Sequence, residues 1–295
     1  MRVAALGDIV SAHAGTCRNV LLYPRGWMVD RFSIIIPCYN EEQYIADTIK
    51  NLQVVLSREA IPYEIVVVND NSSDRTAEVV GEICAQDSNV RRVDRQPPGG
   101  FGRAIRSGLQ YISGDIVTVC MADGCDEPED AVRLYHVVRD EGYDCAFGSR
   151  FIEGAVLRDY PPVKRVINRC ANLFLRVLHV CPFNDLTNPF KAYRREVLDT
   201  CGPFQACHFN LEIEIPLEIL IRKFRVKQIT TNWYGDNARV SNFSIIKMVR
   251  RFAVTLVAIS AKRIFLRDDL RAEKRAYDDQ VAQAIATAKQ QRAGV

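Results

Sequence analysis

Between residues 32 and 148, short apolar runs rich in β-branched residues alternate with longer segments of helical period. Phe32-Ser33-Ile34-Ile35-Ile36-Pro37, Glu64-Ile65-Val66-Val67-Val68-Asn69 and Asp115-Ile116-Val117-Thr118-Val119-Cys120 carry apolar side chains on both faces. Each therefore reads as a strand covered on both sides. Asn89 to Val93 is a weaker third strand in the series, and Tyr143-Asp144-Cys145-Ala146-Phe147 is the fifth. Between them, Glu41 to Ser57 places Ile45, Ile49, Leu52 and Leu56 on one helical stripe. Arg75 to Ala85, capped by Asp74, the segment after Pro97-Pro98-Gly99-Gly100 to about Ile112, and Glu129 to Asp140 are the further helices. Doubly covered strands that alternate with helices pair in parallel, which predicts an α/β fold with a mostly parallel sheet flanked by helices.

A parallel sheet brings the carboxyl ends of its strands to one edge, and ligands bind there. The fourth strand ends in Met121-Ala122-Asp123-Gly124-Cys125-Asp126-Glu127-Pro128-Glu129-Asp130, with Pro128 suited to a first helical turn. Clustered carboxylates repel unless a cation sits among them, and oxygen ligands suit Mg²⁺ or Mn²⁺, which suit a diphosphate. The plain alternative is a solvated helix start, where the helix dipole also favours acids. The first strand ends in Pro37-Cys38-Tyr39-Asn40-Glu41, where Tyr39 can stack on a base and Glu41 can accept from a base or ribose. Asn69-Asp70 ends the second, as an acceptor pair or an Asx turn. Gly148-Ser149-Arg150 ends the fifth, and Arg150 can pair with a phosphate or lie on the surface. Gly99-Gly100-Phe101-Gly102 lacks the third glycine of a dinucleotide loop, because Ile105 stands there; it reads as a tight turn into a helix.

Past residue 148 the pattern loosens. Lys164 to Val180 and Leu211 to Ile221 read as helices, the second carrying Pro216, and Lys191-Ala192-Tyr193 and Arg225 to Trp233 as strands. Asp185, Glu212 and Glu214 are candidate bases; Glu212 and Glu214 are two residues apart and do not share a helix face. Without a Pro-, Gly- or Ser-rich linker, one domain covers 32–235. Residues 1–31 read as a loose leader without a signal-peptide core. Residues 236–267 read as a basic amphipathic helix: Ile245, Val249, Phe252, Leu256 and Ile259 lie at helical spacing, Lys247, Arg250, Arg251, Lys262, Arg263 and Arg267 accompany them, and no acid falls between Asp236 and Asp268. Such a helix suits a membrane surface or packs on the core. Residues 268–295 read as a polar tail or frayed helix.

Composition narrows the class. A net charge of 39 − 36 = +3 does not argue for nucleic-acid binding. The ten cysteines contain no Cys-x-x-Cys pair, so buried free thiols in a reducing, cytoplasmic compartment are expected rather than zinc. No run of about 18 apolar residues occurs.

Taken in order, Ser33-Ile34-Ile35-Ile36-Pro37-Cys38-Tyr39-Asn40-Glu41, Val66-Val67-Val68-Asn69-Asp70-Asn71-Ser72-Ser73-Asp74-Arg75-Thr76, Gly100-Phe101-Gly102-Arg103-Ala104 and Met121-Ala122-Asp123 resemble a family 2 glycosyltransferase of the GT-A fold. Gly148-Ser149-Arg150-Phe151, Ala171-Asn172 and Asp185-Leu186-Thr187 with Phe190-Lys191-Ala192-Tyr193 resemble dolichyl- or polyprenyl-phosphate sugar transferases of the mannose type. The resemblance implies a nucleotide-diphosphate sugar donor (GDP- or UDP-linked) contacted by Pro37, Tyr39, Glu41, Val68 and Asp70. It implies metal and diphosphate handling at Ala122 and Asp123, phosphate contact at Arg150, and a peripheral place at the cytoplasmic face of a membrane. The family's Asp-x-Asp reads Met121-Ala122-Asp123 here, which leaves Asp123 and Asp126 as the metal candidates. The family's Arg…Gly-x-Ser-Lys signature reads Asp236-Asn237-Ala238-Arg239-Val240-Ser241-Asn242.

The expected activity is inverting transfer of a sugar to a polyprenyl or dolichyl phosphate, with Asp123 and Arg150 offsetting charge on the leaving diphosphate. A saccharide hydroxyl acceptor would instead need a carboxylate base, for which Asp185 or Glu214 stands ready. A nucleotide-sugar-binding protein without catalysis is the other alternative. The sugar and the oligomeric state, monomer or homo-oligomer, stay open.

Overall fold

The computed structural model describes residues 31–179, 181–235 and 245–293. The expected leader therefore lies outside the described residues but for Arg31, and so does the 236–242 signature. The first half follows the alternation: β1 (Phe32–Cys38), α1 (Ile45–Arg58), β2 (Tyr63–Asn69), α2 (Thr76–Gln86), β3 (Val90–Asp94), α3 (Phe101–Gly108), β4 (Ile116–Val119), α4 (Pro128–Arg139) and β5 (Cys145–Ser149). The second half adds β6 (Leu157–Arg158), α5 (Pro162–His179), β7 (Lys191–Arg194), α6 (Arg195–Cys201), α7 (Leu211–Ile221), β8 (Val226–Thr230), β9 (Trp233–Tyr234), α8 (Ile245–Phe265) and α9 (Arg267–Ala293).

Seven strands form the main sheet in the order β3-β2-β1-β4-β7-β5-β8. All neighbours run parallel except β7, which lies antiparallel between β4 and β5. The two apolar faces of each strand divide as the period of two requires. Ile34, Ile36, Ile65, Val67 and Ile116 join the core under α1 and α4. Ile35, Val66, Val68, Val117 and Phe147 join the core on the other face, with Ile213 and Leu217 of α7 and Ile259 of α8. A second, two-stranded parallel sheet pairs β6 with β9. The described cysteines are free, with Cys38, Cys120 and Cys145 buried.

Two expectations change at the C-terminal end. The 268–295 tail contains a long helix docked on the domain: Leu270, Tyr277 and Val281 of α9 are buried, the Tyr277 ring meets Phe224, and Arg222 pairs with Glu273. Its composition hides this, because three well-spaced side chains suffice to anchor a helix whose other faces stay wet. The apolar stripe of α8 also divides. Ile259 is buried and Phe252 and Leu256 pack against the core, while Val249 is exposed beside Val254, Val257, Ile264 and Phe265.

At the amino ends of the strands, Glu64 ties three segments together. It accepts from Ser33 Oγ (2.6 Å), from the Ser113 backbone N–H and from the Gly114 N–H (3.0 Å), and it pairs with Arg91. Burial alone would raise its pKa, but these donors hold it at about 2 against an ordinary 4.5. A depressed carboxylate stabilises the fold above the unfolded value and loses that contribution as pH falls through the folded one. Glu64→Gln is therefore expected to cost on the order of 2–3 kcal/mol at neutral pH in urea unfolding, a penalty that shrinks between about pH 4.5 and 2.

Candidate active site

Parallel pairing of β1, β2 and β4, and β7 antiparallel to both β4 and β5, place the ends of β1, β2, β4 and β5 at one edge. The turns after β1 and β2 are stitched together. Asn40 Oδ1 accepts the Ser73 N–H (2.8 Å), and the Glu41 N–H donates to Thr76 Oγ1 (2.8 Å). Asn40 adopts φ 56°, which turns the chain outward and leaves Tyr39 57% exposed at the lip. Pro37 and Val68 face one another in register beneath them. Asp70 is buried, and accepts from Arg95, from Asn71 Nδ2 (3.2 Å) and from the Gly100 N–H. A Cβ on Gly100 would stand 2.4 Å from the Cys207 carbonyl, and one on Gly102 2.6 Å from that of Ala206. These glycines serve close packing at the start of α3, as the failed dinucleotide pattern predicts.

The acidic turn after β4 is clamped by Thr48 of α1, whose Oγ1 donates to the Ala122 carbonyl at 2.9 Å. Asp123 is half-buried, with Oδ1 accepting the Cys125 N–H at 3.2 Å. Asp126 differs: its Oδ2 is sealed from solvent and has no hydrogen-bond partner among the described residues. Burial raises its pKa to about 6, with the Arg150 charge opposing. Among the described residues no three His, Cys, Asp or Glu side chains gather as a metal cage.

Arg150 and Asp185 meet, but in a role not foreseen. The Arg150 guanidinium donates to both Asp185 oxygens at 2.9 Å, and its backbone N–H donates to Oδ2 at 3.0 Å. Asp185 is fully buried. Burial disfavours the Arg150 charge, but Asp185 outweighs it and raises the pKa. Asp185 is thus engaged as the counter-ion of Arg150. Glu214 is engaged as well, accepting the backbone N–H groups of Gln205 (2.8 Å) and Ala206 (2.7 Å). Glu212 instead faces the fully buried Lys191 at 3.5 Å, so the two glutamates do point apart.

Three residues outside the sequence expectations complete the site. Lys164 Nζ lies 5.5 Å from the Tyr160 ring centre and 5.8 Å from that of Trp233, and Arg150 Cζ lies 5.7 Å from Tyr160. Desolvation of its ammonium beside these rings, and then the Arg150 charge, lower the Lys164 pKa. No carboxylate among the described residues pairs with Lys164. The sequence signal was a lysine four residues after Tyr160, legible only once β9 brings Trp233 beside them.

A mostly parallel sheet flanked by helices, with an acidic turn after β4 and cations beside it, is the architecture of the GT-A type. The chain belongs to Glycosyl transferase family 2, whose sequence profile matches residues 33–202, and it is a glycosyltransferase. It is 31% identical over 237 residues to the polyprenol monophosphomannose synthase of Mycolicibacterium smegmatis, covering 78% of this chain and 80% of that one. It is 30% identical over 171 residues to the dolichol-phosphate mannosyltransferase of Pyrococcus furiosus, covering 57% of this chain and 47% of that one. In three dimensions it resembles glucosyl-3-phosphoglycerate synthase of Mycobacterium tuberculosis in complex with uridine diphosphate. The TM-score is 0.59 at 22% identity, over 78% of this chain and 80% of that one.

Removing one partner of a buried ion pair strands the other charge. Asp185→Ala is expected to destabilise the protein by about 3–5 kcal/mol in urea unfolding. Asp123→Asn, at the partly solvated strand mouth, should shift it by less than about 1 kcal/mol.

Proposed function

We propose that the protein transfers a hexose from a nucleoside-diphosphate sugar to a polyprenyl or dolichyl phosphate at an anionic membrane surface. The observation that carries this reading is α5. The helix contains no acidic residue, and exposes Val163, Val166, Leu173, Phe174 and Val177 together with Lys164, Arg165, Arg169 and Arg176. It begins at the Lys164–Tyr160–Trp233–Arg150 pocket, beside the acidic turn. An acceptor with an anionic head and an apolar tail matches that sequence of environments. The three relatives named for lipid-phosphate mannosyl chemistry, the third an undecaprenyl-phosphate mannosyltransferase of Micrococcus luteus (30% identical over 57% of this chain and 68% of that one), support the same acceptor class and make mannose the first sugar to test.

The engaged carboxylates favour a phosphate over a saccharide hydroxyl. A hydroxyl needs a base within hydrogen-bond reach, and Asp185 and Glu214 are both committed elsewhere. A phosphate oxygen is already anionic and attacks the anomeric carbon directly, as the bond to the nucleoside diphosphate breaks. Arg150 and Lys164 hold the attacking anion. The donor's base and ribose rest on Tyr39, Glu41, Val68 and Asp70, over Pro37.

Asp123, with the orphaned Oδ2 of Asp126 nearby in sequence, suits a divalent ion held by one or two carboxylates and completed by phosphate and water. That ion, Mg²⁺ or Mn²⁺, would neutralise charge on the departing diphosphate. A solved complex of the M. tuberculosis synthase contains Mn²⁺ and UDP-glucose, which supports testing Mn²⁺ first. Asp123→Asn should lower turnover about 10²–10³-fold in a radiolabelled sugar assay with organic extraction. Near wild-type activity across a Mn²⁺ titration would refute the assignment.

Membrane contact extends from α5 to α8, since Arg263 of α8 donates to the Leu178 carbonyl (3.3 Å) at the end of α5. No described helix is long and apolar enough to cross a membrane. Exposed Val254, Val257, Ile264 and Phe265 of α8 enlarge the apolar surface. Each cation near anionic lipid contributes about 1 kcal/mol, screened by salt. Flotation with anionic vesicles is expected to fall with salt, and to fall further in Leu173→Ser/Phe174→Ser/Val177→Ser. Recovery in the soluble fraction under every condition would overturn the membrane reading.

A further inference from the structure

Asp130 occupies the first turn of α4, where the helix dipole alone would favour an acid. Dipole compensation requires no burial, yet Asp130 is 1% exposed. Its Oδ2 accepts the backbone N–H of Asn232 at 2.6 Å, from 102 residues further along the chain, and its Oδ1 accepts from Arg133 at 2.6 Å.

Asn232 begins a strap that ends at Gly235 and joins two parts of the site. On one side, the Tyr234 N–H donates to the Cys125 carbonyl (2.8 Å) and Trp233 bridges Asp126 in the acidic turn. On the other, the Trp233 N–H donates to the Val156 carbonyl (2.9 Å), the Gly235 N–H to the Arg158 carbonyl (2.9 Å), and the Val156 N–H to Asn232 Oδ1 (3.0 Å). The strap also presents the Trp233 ring edge-on to Tyr160, with centroids 4.7 Å apart, under Lys164. Pairing over two residues specifies register weakly. A charge-assisted bond from the rigid start of α4 fixes it.

We infer that Asp130 is a positioning residue for transfer: by anchoring Asn232, it sets the separation between the acidic turn that handles the donor diphosphate and the Trp233–Tyr160–Lys164 pocket that receives the acceptor anion. The inference rests on the proposed reading of that pocket. Asp130 touches neither substrate and acts through the strap. A helix-start acid of ordinary kind would leave acceptor use unchanged when removed.

The chain has two tryptophans, so Trp27→Phe leaves Trp233 as the only indole reporter. In that background, Asp130→Ala is expected to raise the KM for polyprenyl phosphate in vesicles about tenfold or more, the loss expected when a charge-assisted hydrogen bond goes. The donor KM should stay within about twofold. Trp233 emission should shift to the red and become more accessible to acrylamide. Asp130→Asn keeps an oxygen for the Asn232 N–H but not the charge, and should bring all three readouts part of the way back to wild type. Arg133→Ala, which removes the other partner, should leave them at wild-type values. If Asp130→Ala does not fold, Asp130→Ser takes its place. Equal increases in donor and acceptor KM, a fall in melting temperature alone, or unmoved Trp233 emission would each overturn the inference. If the parent transfers no sugar to polyprenyl phosphate while Asp130→Ala still shifts Trp233 emission, the acceptor reading fails and the anchoring of the strap stands.

Discussion

The buried pair of Arg150 and Asp185 is the interaction on which the site depends. Arg150 closes β5, and Asp185 lies in the loop that carries the chain back into the sheet as β7. Two full charges leave water here, which is tolerable only because the contact is bidentate and the Arg150 backbone N–H adds a third bond. Once formed, the pair fixes where β5 ends and where β7 begins. It also holds a permanent cation beside the acidic turn, pinned in its charged form.

The antiparallel β7 follows from the same arrangement. It fills the space between β4 and β5. Thr118 Oγ1 donates to the Lys191 carbonyl at 2.8 Å across that seam, and buried Lys191 answers Glu212 of α7. These polar groups are paired within the protein, and Asp185, Glu212 and Glu214 hold cations or backbone.

Much of this was legible in the chain. The doubly apolar strands 32–37, 64–69 and 115–120 pointed to a parallel sheet, because crossover helices on both sides bury both faces of such strands. The punctuation at Asn40-Glu41, Asn69-Asp70, Asp123 and Arg150 located the functional edge, because parallel strands must end together. The residue types at those ends also carried the class of chemistry, through the order in which they resemble family 2 glycosyltransferases.

Tertiary structure decided which of those side chains are free to act. Asp185 and Glu214 looked like bases in sequence, and packing made them a counter-ion and a backbone acceptor. The stripe of α8 suited a membrane surface or the core, and the core took Phe252, Leu256 and Ile259, while α5, read as an ordinary helix, was left uncovered. The long-range partners of Lys164 and Asp130 carried no sequence signal, since they lie tens of residues away: Asn232 reaches Asp130, and Trp233 reaches Lys164, only after β9 folds across the acidic turn. Local periodicity records what a segment buries against its own neighbours in sequence; the pairing of charges and rings across the chain is set by which elements the sheet brings side by side.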